Sequence, residues 1–168
     1  MTKSELQIEI EKFRDQVIER AKNNLSRLGK DGGKLYDSID GRVKANQNSF
    51  EMEFSMEDYG IFQDKGVSGK RKKYNTEFSY KDKMPPPRAF DKWIVRKGLS
   101  PRKQGKFASR KSLQFMIARG VYMNGIKPSL FFTKPFENAY KKLPDTLVEA
   151  FGLDATKLFN ESIYLIGK

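Results

Sequence analysis

The chain has 168 residues, with 33 Lys and Arg against 21 Asp and Glu and a formal net charge of +12. It contains neither cysteine nor histidine, which excludes disulfides, thiolate nucleophiles, zinc sites of the usual Cys/His type and imidazole acid–base chemistry. Hydrophobic residues make up 38%, enough for a single domain with a modest core, and no run approaches the roughly 18 apolar residues of a membrane span.

The first dozen residues carry a charge every few positions and no apolar run, unlike a secretory leader. The lack of cysteine and histidine fits a chain that works without regard to redox state, in a cytosol or in a particle assembled there. Leu6, Ile10, Phe13, Val17, Ala21, Leu25 and Leu28 then recur at steps of three and four. That spacing predicts one helix over residues 4–28 with a single apolar stripe. Thr2 or Ser4 suits its N-cap and Gly29 the position after its C-cap. Ile8 and Ile18 lie beside the stripe and widen the apolar surface, as a contact with a neighbouring copy would.

Asp31-Gly32-Gly33 breaks the chain, and Leu35, Tyr36 and Ile39 make a short helical piece or turn. Residues 42–45 and 50–56 alternate around a turn at 46–49, with Phe50, Met52, Phe54 and Met56 on one face and Glu51, Glu53 and Ser55 on the other. This predicts a half-buried antiparallel hairpin, and it places Glu51 and Glu53 in solvent rather than in a catalytic pair. Residues 58–66 read as a short helix or turn, in which Gly60 leaves room for another backbone to approach.

A basic stretch follows. Residues 65–111 hold 16 Lys and Arg against 3 Asp and Glu, while the rest of the chain is nearly balanced at 17 and 18. Localised excess charge points to a face turned toward something negative, either nucleic acid or an acidic protein surface. Two long basic loops are expected, at about 67–88 and 99–108. The first opens with Gly66-Val67-Ser68-Gly69 and the run Lys70-Arg71-Lys72-Lys73, which lacks the spacing of a phosphate loop. Such a run is expected to be solvated and mobile until a negative partner orders it. It closes at Pro85-Pro86-Pro87, a stiff extended entry to a short helix with Phe90, Trp93, Ile94 and Lys97 near one face. The residues expected to meet the partner are Lys70, Arg71, Lys72, Lys73, Arg88, Arg102 and Lys103.

Residues 109–124 predict a second substantial helix with Leu113, Met116, Ile117 and Val121 on its apolar face and Gly125 as its stop. Residues 130–133 form a short apolar strand or helix lead-in. Pro135 suits the first turn of a further helix whose stripe is Phe136, Ala139, Tyr140 and Leu143. Pro144 opens another, with Leu147, Val148 and Phe151, and Gly152 interrupts it. An apolar tail over 152–168 ends the chain, and Trp93, Ile163, Leu165 and Ile166 are the expected oligomer contacts. No repeat or heptad series is present, no carboxylate cluster has metal spacing, and neither a cofactor nor a catalytic set is expected. A hairpin between helical blocks makes the class α+β: an antiparallel β-sheet packed by a long N-terminal helix, with additional helices in the C-terminal half.

The order of these elements resembles the tail-completion, or head–tail connector, proteins of tailed bacteriophages. Gly33, Leu35, Ser38 and Ile39 match a G-x-L-x-x-S-I box after the first helix. Tyr59, Phe62, Lys65 and Gly66 match an aromatic-x-x-aromatic segment leading to a glycine. Residues 131–136 match an aromatic and proline-containing helix entry, and the likeness covers most of the chain up to about Phe151. The resemblance implies a non-enzymatic virion protein of the neck, assembled in the host cytoplasm without a membrane. Its copies would form a ring that touches a portal or adaptor protein and tail proteins, with packaged DNA passing nearby. The alternative reading is a nucleic-acid-binding accessory protein, in which Tyr74, Phe78, Tyr80 and Trp93 interleave with the basic residues and stack on bases.

Overall fold

In the computed structural model, which describes residues 4–45, 50–100, 102–103, 106–107, 109–150 and 152–154, the first helix forms where its stripe and caps place it. Helix α1 (Glu5–Arg27) starts at Ser4, whose hydroxyl accepts the Gln7 N–H at 3.1 Å. It ends in a Schellman turn, with Gly29 at φ +64° donating to Ser26 O and Lys30 N–H donating to Leu25 O. Two more N-terminal donors are met from far along the chain: the Asp154 carboxylate accepts Glu5 N–H at 2.9 Å and Leu6 N–H at 3.1 Å. Of the predicted stripe, Ile10, Phe13, Val17, Ala21 and Leu25 are buried, while Leu28 is exposed.

The chain divides into two compact units, Met1–Gly60 with Leu130–Lys168 and Ile61–Ser129. In the first, α2 (Lys34–Ser38) leads into β1 (Asp40–Ala45), which pairs antiparallel with β2 (Phe50–Ser55) in the register Val43↔Met52 and Gly41↔Phe54. The strand alternation is as predicted: Met52 and Phe54 are half-buried, and Glu51 and Glu53 are exposed. Helix α6 (Thr133–Tyr140) supplies the other wall. One core cluster joins Ala21 and Leu25 of α1 to Leu35, Ile39 and Phe131; the other joins Phe13 and Val17 to Ala139, with Met52, Phe54, Phe136 and Leu143 packed against it. Ile18 packs on the first cluster, so the surface it widens is the core rather than a face kept for a neighbour. Tyr140, expected in the α6 stripe, is exposed.

The G-x-L-x-x-S-I residues knit the crossover from α1 to the hairpin. Leu35 and Ile39 are buried. The Ser38 hydroxyl donates to Leu35 O and accepts the Glu57 N–H, and the Tyr59 hydroxyl accepts the Leu35 N–H at 2.9 Å. Gly60 is tight against side chains, Met56 and Leu35, and not against another backbone as its sequence context suggests. Residues 143–150 are helical, and so are 152–154, so Gly152 does not end helical structure. The predicted turn at 46–49, Phe151, and the tail residues Ile163, Leu165 and Ile166 lie outside the described residues.

In the second unit, α3 (Gly60–Lys65) leads to a long ordered loop, a 3₁₀ turn (Pro87–Phe90), α4 (Asp91–Arg96) and α5 (Arg110–Asn124). The predicted loop at 99–108 contains a two-residue antiparallel ribbon, β3 (Arg102–Lys103) with β4 (Lys106–Phe107). Helix α5 starts at Ser109, whose hydroxyl accepts the Ser112 N–H, and stops at Gly125, φ +72°. It buries Leu113 and Ala118 while Met116 is exposed. The buried face is turned toward Ala118, with Ile117 and Val121 partly buried beside it and Met116 left outside.

Candidate functional site

The basic run Lys70–Lys73 is fastened to the C-terminal end of α5. Lys70 N–H donates to Tyr122 O at 3.0 Å and Arg71 N–H to Met123 O at 2.8 Å. These are carbonyls of the last helical turn, which have no partner inside the helix. The same end carries the negative pole of the helix dipole, which favours cations. The expectation of a mobile run waiting for an outside anion is thus corrected: the negative group nearby is the helix end of the same unit. Mutual repulsion acts on the side chains, and these remain exposed at all four positions.

The base of the run is closed by Ser68. Its buried hydroxyl donates to Tyr74 O and accepts the Tyr74 N–H, both at 3.0 Å. Its backbone N–H donates to Phe78 O and its carbonyl accepts the Tyr80 N–H. Val67 exchanges both backbone bonds with Ile126, each 2.8 Å. Gly66, at φ +77°, makes the turn that leads in, packed against Pro128. Residues 66–80 therefore form a stapled loop that fixes the backbone from which four exposed cations project.

Two of the four aromatic residues, Phe78 and Tyr80, pack inside the unit. Phe78 meets Phe62 edge-on at 4.9 Å between centroids. Tyr80 is half-buried 6.2 Å from Tyr122, and burial raises its phenol pKa above the ordinary value. Lys70 Nζ stands 6.0 Å over the Tyr122 ring, whose hydroxyl donates to Lys81 O. Trp93 on α4 is 39% exposed, the one member of the aromatic set with a substantially open ring.

Arg88, the next predicted contact residue, does not join the run. Arg88 is exposed in the 3₁₀ turn, three residues before Asp91, which is bound at the other end of α5. There Arg110 Nε and Nη2 donate to the two Asp91 oxygens at 2.6 and 2.8 Å, and the Gln114 amide donates to the same carboxylate. The Arg110 hydrogen bonds hold the Asp91 carboxyl below its usual range. At 1.5 Å per residue, the two ends of α5 are about 20 Å apart along the axis. Arg102 and Lys103 lie on the β3 ribbon. The basic run and the Arg88 turn therefore stand toward opposite ends of α5 and do not converge. Among the described residues no group of carboxylates could hold a metal.

Charge follows the division into units. Ile61–Ser129 holds 18 Lys and Arg against 4 Asp and Glu, and the other unit holds 15 against 17. Within that nearly neutral unit is a cationic cleft that the sequence reading passes over, formed by Arg20 and Arg27 of α1 with Lys134 of α6. Its signal in the sequence is two arginines seven residues apart, with Asn23 and Asn24 between them on the same helical face. Comparisons of the chain with protein-family models, curated proteins and solved structures find no match.

Proposed function

We propose that the chain is a structural protein of the neck of a tailed phage, whose copies form a ring between portal and tail. The observation that carries this reading is the segregation of charge. One unit carries more than the whole positive excess, and the unit bearing the long helix and hairpin is slightly negative. Copies that differ so strongly between their two units are suited to head-to-tail contact, the heterologous kind that closes rings. A stapled cationic loop is suited to an anionic surface lining or crossing such a ring. The motif order adds support, since its glycines, Ser38, Leu35 and Phe131 occupy turns, hydrogen-bond hubs and core positions on which a fold depends.

The accessory-protein alternative needs free aromatic faces for base stacking. Two of the four aromatic residues it would use, Phe78 and Tyr80, are engaged with Phe62 and Tyr122 while Trp93 stays open, and the loss of two stacking faces favours the ring, with cations meeting phosphate or carboxylate. The test is negative-stain imaging of the purified protein, alone and mixed with a phage portal. Rings, or caps on portal particles, are expected. A protein that stays monomeric in both, yet binds short oligonucleotides with steep salt dependence, would overturn the ring in favour of the accessory protein.

A further inference from the structure

We infer that the cleft between α1 and α6 is a phosphate-binding site, separate from the basic loop. On α1, Arg20, Asn24 and Arg27 occupy positions i, i+4 and i+7, with Asn23 beside them, so all project along one face over two turns. On α6, Lys134 and Asn138 are likewise four residues apart. The facing stripes enclose an open cleft of about 410 Å³ floored by buried Pro135. Its wall carries two guanidinium groups, one ammonium and three carboxamides, and no carboxylate.

That composition selects the ligand. Guanidinium and ammonium groups are obligate donors, and the amides add further N–H groups. Among the described residues no carboxylate forms a salt bridge with Arg20, Arg27 or Lys134, whereas Lys12, Arg14, Lys44 and Arg110 each have one. Three cations kept together in a unit that is otherwise slightly acidic repel one another, and an anion between them relieves this. Asn24 is held by its bond to Phe131 O at 3.2 Å, so the α1 wall is anchored to the core behind it. A tetrahedral phosphate oxyanion accepts from several directions at once and suits a site with donors on two walls, and arginine matches it in bidentate fashion. The phosphate can belong to a nucleic-acid backbone or be free.

The amides provide a local readout that the strongly basic second unit cannot mask. The full-length ¹⁵N-labelled protein is titrated with inorganic phosphate, with a short oligothymidylate, and with acetate at matched ionic strength. The side-chain amide resonances of Asn23, Asn24 and Asn138 are followed. Both phosphate-bearing ligands are expected to shift Asn23 and Asn138, and acetate much less. Combining Arg20→Gln, Arg27→Gln and Lys134→Gln is expected to weaken the response about tenfold or more. A response to the oligonucleotide alone assigns the site to a polymer backbone, and a response to both assigns it to phosphate in general. Equal shifts with acetate, or none with either phosphate ligand, would overturn the proposal. Should the triple variant not fold, the wild-type comparison of phosphate with acetate still decides it, as does Lys134→Gln alone.

Discussion

Gly69 and Gly125 touch backbone to backbone. A Cβ on Gly69 would meet the Gly125 nitrogen and Met123 O, and one on Gly125 would meet Val67 O and the Gly69 nitrogen. This contact lets the basic run lie on the end of α5, since any side chain would lift the loop off the carbonyls that hold it. Gly125→Ala also has φ +72° with ψ −166° to bear, a backbone region that is essentially glycine's alone and costs a side chain about 1–3 kcal/mol. It should lower stability by more than about 2 kcal/mol and abolish hydrogen-exchange protection of the Lys70 and Arg71 amides. Gly120→Ala is the contrast. It lies inside α5 with open space around it, and it should stabilise by about 0.5–1 kcal/mol.

Phe13→Ala tests the packing of α1 on the hairpin and α6. Phe13 is 6% exposed and meets Phe136 edge-on at 5.9 Å. Its truncation should cost about 3–5 kcal/mol in denaturant unfolding. An unchanged midpoint would mean that the α1 stripe does not form the core.

Asp154→Ala removes a carboxylate that caps α1 across 149 positions of sequence. Loss of a cap with its charge at a helix N-terminus should cost about 1–2 kcal/mol. A truncation after Glu161 keeps this cap and should melt near the wild type, whereas one ending before Asp154 should not.

The Asp91–Arg110 pair sets a pH dependence. Because the folded-state pKa of Asp91 is depressed, its contribution is present above the unfolded carboxyl pKa and is lost as pH falls through the lower folded value. Asp91→Asn should therefore narrow the difference between melting temperatures at neutral and strongly acidic pH. The wild-type slope on the acid side should exceed the variant's.

Changing Lys70, Arg71, Lys72 and Lys73 together to Gln leaves every backbone donor in place. Stability should fall by less than about 1 kcal/mol, the scale of lost charge–dipole attraction. Attachment to particles, measured across a salt series, should weaken and lose roughly one unit of salt slope for each phosphate contact removed. Equal attachment at every salt concentration would make the run a plain solvated surface.

Much of the fold was legible because it rests on local periodicity. The α1 stripe, the Ser4 and Gly29 caps and the strand alternation each follow from side chains a few residues apart. What lay hidden depends on partners distant in sequence. The Asp154 cap, the bonds from Lys70 and Arg71 to the α5 carbonyls and the Arg20–Lys134 cleft all join segments that the order of residues does not place together. Met116 misled for a related reason. It lies two positions from the buried Ala118, on the far side of the helix, and apolar character alone does not fix which face of α5 packs. The charge of the basic run was plain from composition, whereas its anchoring was not, because backbone donors carry no residue-specific mark.

Phe131 is fully buried among Ala21, Leu25, Leu35 and Ile39, yet all of Ile61–Ser129 intervenes between those residues and it. During synthesis the long first helix and the hairpin therefore leave the ribosome well before the aromatic plug that completes their core. The inserted unit is contiguous in sequence and can finish first, while the apolar stripe of α1 waits without its cover. The unit that begins the chain is thus the last to close, and the apolar stripe of α1 stays uncovered through that interval.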